Sequence, residues 1–257
     1  MLTRRRLVIA VALVVLIGVP LLEEPTLVGA RGVGYAVCHQ LPTHSFFAAG
    51  EQLPLCARCT GIYLGFLVGI AGMALLGTLG AAVWPPTTVS TILMLSMALM
   101  VGDGFNSLTS ALPEGFQVYQ PTNLLRLATG ISAGMSLSLL LVPLLNDSLW
   151  AKRELAHSVS GFRDLAGIYI IAALAAMLVY SEHPLILLPV TVLSALGVLA
   201  TLGTAGTALA AALLRRERQC HTRLDAVPLF MVGVGLSIVL MAGLAALRYY
   251  YSVPVGI

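Results

Sequence analysis

Apolar residues fall into seven long runs separated by short polar segments: Leu7–Leu22, Gly61–Val83, Thr87–Val101, Leu124–Leu145, Leu165–Tyr180, Leu185–Leu214 and Ala226–Tyr249. A helix needs about 20 residues to cross the hydrocarbon of a bilayer, and fewer if polar residues at its ends snorkel. The pattern therefore predicts seven membrane-spanning helices. The third and fifth runs are the shortest. The sixth carries Gly203 and Gly206 and is expected to tilt or break there. Gly61, Gly65 and Gly69 recur at every fourth position, as do Gly130 and Gly134, a spacing that lets helix backbones approach closely in lipid. The stretch around Arg58, Thr60-Gly61-Ile62 and Gly65 is echoed by Arg126, Thr129-Gly130-Ile131 and Gly134, the trace expected of a degenerate internal duplication.

Composition sharpens the class. Of 257 residues, 58% are hydrophobic and 10% charged, against about 25% charged in soluble domains. Such a chain cannot cover a water-facing surface, and the expectation is an all-α, polytopic helical bundle in contact with the lipid bilayer. One domain covers 1–257: a signal-anchor helix over 1–30, an extracytoplasmic Cys/His segment over 31–60, and a six-helix bundle over 61–257. A cleaved signal peptide is the other reading of the first segment, with Val28-Gly29-Ala30 a poor cleavage site. The net charge of +3, without basic runs interleaved with aromatics, excludes nucleic acid as a partner.

Lys and Arg set the orientation. With the N-terminus inside, ten basic residues (Arg4, Arg5, Arg6, Lys152, Arg153, Arg163, Arg215, Arg216, Arg218, Arg223) are cytoplasmic and four (Arg31, Arg58, Arg126, Arg248) lie outside. The prediction is a multi-pass protein of the cell membrane with a cytoplasmic N-terminus. Cys38, His39, His44, Cys56, Cys59, Asp103, Glu114, Arg126 and His183 then gather at the outer face. Cys220 and His221 sit in an inner loop whose arginines suit anionic headgroups.

That gathering holds the chemistry. Cys56 and Cys59 form a CxxC just before a helix, where free backbone N–H groups and the helix dipole favour thiolate. Cys38 and a histidine, on an earlier turn, complete the donor set of a tetrahedral transition-metal site, zinc first. The preferred ligands are Cys38, Cys56 and Cys59 with His39 or His44; another set omits Cys38 and uses His39. Redox chemistry is the rival reading, with Cys56 and Cys59 as a disulfide, Cys38 as a shuttling partner and no metal. Asp103, at the end of the third run, is either a functional carboxylate at the membrane boundary or a solvated helix cap. Arg126 either snorkels or pairs with Asp103. Asn123 is the expected N-cap of the fourth helix. His183 reads as a turn residue, and Glu51 and Glu114 as solvated.

These residues resemble a family of predicted prokaryotic membrane proteins. Its hallmark is Cys-His-Gln-x-Pro-x-x-Ser-Phe followed by Leu-Cys-Ala-Arg-Cys-Thr-Gly-Ile-Tyr-x-Gly, present here from Cys38 to Phe46 and from Leu55 to Gly65. Asp103, Asn123, Arg126, Thr129 and Gly130 match its downstream positions, and the likeness covers roughly 35–135. Members often carry arginine at the position of His44, which implies His39 as the ligand. The resemblance brings no activity with it. Three functions follow from the residues. The first is a metal-dependent, membrane-embedded enzyme in which Asp103 and Arg126 act with the metal on a lipid-like substrate. The second is a quinone-linked thiol–disulfide oxidoreductase. The third is a non-catalytic subunit of a membrane complex with a structural metal.

Overall fold

Inside lipid, every backbone N–H and C=O must be bonded within its own segment, so apolar runs of this length fold as helices. The computed structural model describes residues 24–48, 50–110, 112 and 115–252. Seven helices account for most of them: α1 (Glu24–Val37), α2 (Ala57–Leu76), α3 (Thr87–Thr109), α4 (Asn123–Leu149), α5 (Phe162–Tyr180), α6 (Pro184–Leu213) and α7 (Arg223–Ser252). Helices α2 to α7 are each long and apolar enough to cross a membrane. The chain is an all-α, multi-pass membrane bundle. The expected Leu7–Leu22 helix lies outside the described residues, as does Glu114. Helix α1, not anticipated as a separate element, runs across the expected boundary at residue 30.

Helix α2 is the hub. It packs most extensively against α4, and also against α5 and α6. The two glycine series meet at this crossing, and the contacts are reciprocal. A Cβ added to Gly61 would come within 2.6 Å of the Leu127 carbonyl, and one on Gly130 would strike the Arg58 carbonyl. Gly65 abuts Ile131, and Gly134 abuts Ile62 in the same way. The helices therefore run parallel, related by an approximate two-fold axis, which is the geometry a duplication would leave. Helix α6 enters the same layer through Gly197, set against Tyr63, and Gly206 meets Gly233 of α7. Helices α2, α4 and α6 start from one end of the bundle; α3, α5 and α7 return to it.

Short strands close the two ends. Near the start of α2, β1 (Phe47–Ala48) and β2 (Glu51–Gln52) form an antiparallel hairpin that turns at Gly50, whose φ of 88° favours glycine. At the far end, β3 (Ala81–Val83) and β4 (Glu154–His157) pair in parallel and tie the α2–α3 connection to the α4–α5 connection. Asn146 of α4 fastens this junction by donating to the carbonyls of Leu79 and Ala81, both at 2.9 Å.

Several expected boundaries shift. Helix α2 begins before Gly61 and stops at Leu76, where Gly77 takes a left-handed conformation with φ of 73° as its cap. Helix α3 continues two turns past Val101 to Thr109, which puts Asp103 inside the helix instead of at a solvated cap. Helix α6 does not break at Gly203 or Gly206, because those positions are the contact surface for α7. Thr122, not Asn123, caps α4, its hydroxyl accepting from the Leu125 amide at 3.3 Å.

The α2–α4 crossing makes a direct prediction. Gly134→Ala forces a methyl group into the Ile62 carbonyl and should destabilise the bundle by about 1–3 kcal/mol. Gly243→Ala, with nothing within 4 Å of the added carbon, should change stability by less than about 0.5 kcal/mol. Thermal unfolding of both variants in detergent or nanodiscs provides the comparison.

Candidate metal centre

The site begins where α1 ends. Gly34 brings α1 so close to the Pro54 carbonyl that any side chain there would collide with it, which lays the 53–56 turn against the last turn of α1. Cys38 follows α1 directly, its amide bonded to the Gly34 carbonyl at 2.9 Å. Gln40 then adopts a left-handed φ of 55° and turns the chain back. Its side chain locks the turn by donating to the Pro54 carbonyl at 2.8 Å, while Gln52 donates to the Gln40 carbonyl at 2.8 Å. Cys56 is the N-cap of α2, and Cys59 lies in its first turn.

These turns bring three sulfurs together. The Sγ atoms of Cys38, Cys56 and Cys59 lie within 4.8 Å of one another, and all three are free thiols. Cys38 and Cys56 are buried against Val198 of α6, with Leu202 and with Met241 of α7 close by. Neither histidine belongs to the 4.8 Å group. His39 is exposed beside Cys38, and its ring stands edge-on to His44 with centroids 6.0 Å apart.

The environment favours one ionised sulfur. Cys38 Sγ accepts backbone N–H bonds from Cys56 at 3.2 Å and Gln40 at 3.4 Å. Its pKa is held well below the ordinary thiol value, chiefly by the Cys56 thiol and then by that of Cys59, with His39 and the Cys56 amide adding to the effect against burial. The Cys56 thiol is pushed up, first because it shares its proton with Cys38. Amide-to-sulfur bonds and clustered thiolates are what a bound transition metal requires of its ligands, so the donor set fits such an ion.

A buried polar frame adjoins the thiols, and it departs from the expected pairing. Asp103 is buried, but its partner is Arg58, the residue between the two cysteines of the CxxC, and not Arg126. Arg58 Nε donates to Asp103 Oδ2 at 3.1 Å and Nη2 forms a short ion pair with the same oxygen. Tyr119 donates to Oδ1 at 2.8 Å and Thr129 reaches Oδ2 at 3.4 Å. Arg126 does not snorkel either. It is buried, donating to Ser107 Oγ from Nε and Nη2 (3.2 and 2.9 Å) and to Asn123 Oδ1 from Nη1 at 2.9 Å. Among the described residues it has no carboxylate within ion-pair distance.

Other sequence candidates fall elsewhere. His183 precedes α6 as its N-cap residue. Glu51 is exposed and pairs with Arg31 at 2.8 Å. Cys220 is buried at the far end beside Leu149, with its thiol pKa raised by burial. The residues that sequence reasoning missed are Arg58 and Arg248. Arg58 read as a boundary charge, although its place inside the CxxC was the available signal. Arg248, near the end of α7, donates to the carbonyls of Tyr35, Cys38 and His39; no local pattern marked it.

Comparison with known proteins covers the thiol cluster and the Asp103 and Arg126 frame, but not Arg248. A family model described as "Predicted membrane protein (DUF2085)" matches residues 38–140, from Cys38 into α4. An uncharacterized protein of Methanocaldococcus jannaschii is 34% identical over 116 residues, 45% of this chain and 68% of that protein. One of Methanothermobacter thermautotrophicus is 33% identical over 107 residues, 40% of this chain and 83% of its own length. No solved structure matches the chain.

Two predictions follow from the site. Asp103→Ala leaves the Arg58 guanidinium buried without its carboxylate and should cost on the order of 3 kcal/mol in thermal stability. Metal-free protein should also show pH-dependent stability. Cys38 loses its proton in the folded chain at lower pH than an unfolded thiol with its value of 9.0. Stability should therefore climb as pH rises toward that value and be lost as acid protonates the sulfur. Unfolding across this range should show the dependence in wild type and a flatter profile in Cys38→Ser, with thiolate absorbance tracking the same group.

Proposed function

The chain belongs to the DUF2085 family of predicted membrane proteins, and on that premise we propose that it is a transition-metal protein of the bilayer, with zinc the first candidate. The carrying observation is the meeting of Cys38 with Cys56 and Cys59 from two separated turns. Cys38, Cys56 and Cys59 are three ligands and His39 is the fourth. Three thiolates and one imidazole suit a closed tetrahedral zinc site, whose first contribution is to fasten the 38–56 segment to the start of α2. Arg58 carries that fastening across to Asp103 on α3.

A second reading makes the same end of the bundle an enzyme acting on an amphipathic, lipid-like substrate. What favours it is the Asp103 carboxylate, buried on α3 and held by Arg58, Tyr119 and Thr129. Gly102 beside it is exposed with open space around it. Tyr119, half-exposed, holds its phenol on the carboxylate, and burial with this hydrogen bond raises its pKa. Arg126, with only neutral partners among the described residues, supplies positive charge for an anionic group. Here Asp103 and Arg126 are the working residues, and a bound metal would supply Lewis-acid activation of water or a hydroxyl.

The site end is assigned to the extracytoplasmic side. Among the described residues, Lys152, Arg153, Arg163, Arg215, Arg216, Arg218 and Arg223 lie at the far end. The four arginines at the site end are all engaged: Arg31 with Glu51, Arg58 with Asp103, Arg126 with Ser107, and Arg248 with backbone carbonyls. Arg153 and Arg218 pair with Asp147, but the greater number of Lys and Arg residues at the far end favours that end as cytoplasmic.

Elemental analysis tests the metal reading. Purified protein should carry about one zinc per chain, lost in Cys56→Ser and Cys38→Ser and retained in Cys220→Ser. A metal-free preparation whose Cys56 and Cys59 titrate as a redox couple would overturn this reading in favour of thiol–disulfide exchange, with a quinone as the electron acceptor. Retained zinc with unaltered stoichiometry in Cys38→Ser would remove Cys38 from the ligand set.

A further inference from the structure

The backbone that carries Cys38 and His39 is held in place by a residue far along the chain. Helix α1 ends in carbonyl groups without helical partners, as every helix does. Here the partner is Arg248 of α7. Its Nη1 donates to the Tyr35 carbonyl at 2.9 Å and makes a short bond to the Cys38 carbonyl, and its Nη2 donates to the His39 carbonyl at 3.1 Å. The guanidinium also lies over the Tyr35 ring, 4.2 Å from its centroid. A planar fork with five N–H donors is the side chain that can reach three carbonyls and cover a ring at once.

We infer that Arg248 is a positioning residue for the metal centre: through the Tyr35, Cys38 and His39 carbonyls it sets the backbone that aims Cys38 Sγ at the CxxC and keeps His39 beside it. The inference rests on the metal reading above, and extends the site to α7, beyond the stretch matched by the family model. Arg248 touches no sulfur. Its effect passes through the main chain, as does that of partners that orient metal ligands in general, whose removal typically costs 10–100-fold in affinity. The other anchors of this turn, Gln40 on the Pro54 carbonyl and Gln52 on the Gln40 carbonyl, lie on the far side of Cys38 in sequence. Without Arg248 the Val37–His39 backbone has no side chain bonded to its carbonyls among the described residues.

The test uses full-length protein in nanodiscs, loaded with zinc or with cobalt as a spectroscopic substitute. Wild type, Arg248→Gln, Arg248→Lys and Tyr249→Ala are compared for metal release to a chelator and for the cobalt ligand-field spectrum. Arg248→Gln should release the metal about tenfold faster or more, with an altered spectrum. Arg248→Lys should recover part of the loss, and Tyr249→Ala, an exposed neighbour, should match wild type. Unchanged release and spectrum in Arg248→Gln overturn the inference. If Arg248→Gln does not fold, Arg248→Lys decides, since it keeps the charge and loses the fork that spans three carbonyls; it should release metal faster than wild type, and unchanged release overturns the inference. If wild type holds no metal, the metal reading fails by itself. Alkylation of Cys38 then still decides the clamp: faster labelling in Arg248→Gln supports it and equal labelling rejects it.

Discussion

The parallel crossing of α2 and α4 is the contact on which the rest is built. In lipid, apolar side chains gain little by leaving hydrocarbon for one another, so helices associate through close packing and buried polar bonds. Glycines on both faces supply the first. Their reciprocal contacts, Gly61 with Leu127 and Gly130 with Arg58, bring the first turns of the two helices level. That levelling decides where Arg58 and Arg126 emerge. Arg58 reaches Asp103 on α3, and Arg126 reaches Ser107 one turn further along the same helix. Polar groups that would be unaffordable singly are thereby satisfied in one connected frame.

The thiol cluster stands on that frame instead of beside it. Cys56 and Cys59 flank Arg58, so the side chain that orients the first turn of α2 is embedded in the CxxC. Cys38 is supplied from the other direction, by α1 and the 40–54 loop, and that loop is closed by the side-chain amides of Gln40 and Gln52, which donate to the Pro54 and Gln40 carbonyls. The thiols are thus gripped from both sides. One side is a membrane-spanning helix with an ionic anchor, and the other a surface turn with amide anchors.

Much of this was legible in the sequence, for identifiable reasons. Apolar runs disclose the spans because lipid demands them. The CxxC and Cys38 disclose a sulfur site because few other arrangements use such spacing. The glycine series disclosed a close approach, which the structure places between α2 and α4. What was hidden depends on distant partners. Helix α3 outlasts its apolar run because the polar groups of Asp103, Asn106 and Ser107 are bonded by Arg58, the Val118 amide and Arg126, none of which a local window contains. The sequence left Arg126 either snorkelling or paired with Asp103, whereas the partner that Asp103 takes, Arg58, is 45 residues away and outside any local window. The distinction between Thr122 and Asn123 as a cap turned on Asn123 being drawn instead to Arg126 and to the Ser45 carbonyl.

The contacts of Arg248 join residues at the two ends of the described chain, and this has a consequence for biogenesis. The α2–α3 and α4–α5 hairpins can enter the bilayer and pair as they are synthesised. The carbonyls of Tyr35, Cys38 and His39 must wait for a residue made after α2 to α6. Until α7 is inserted, the Tyr35, Cys38 and His39 carbonyls lack the guanidinium that bonds all three. Closure of the turn that carries Cys38 therefore waits on the insertion of α7, and a product ended before Arg248 would leave the translocation machinery with that segment unlatched.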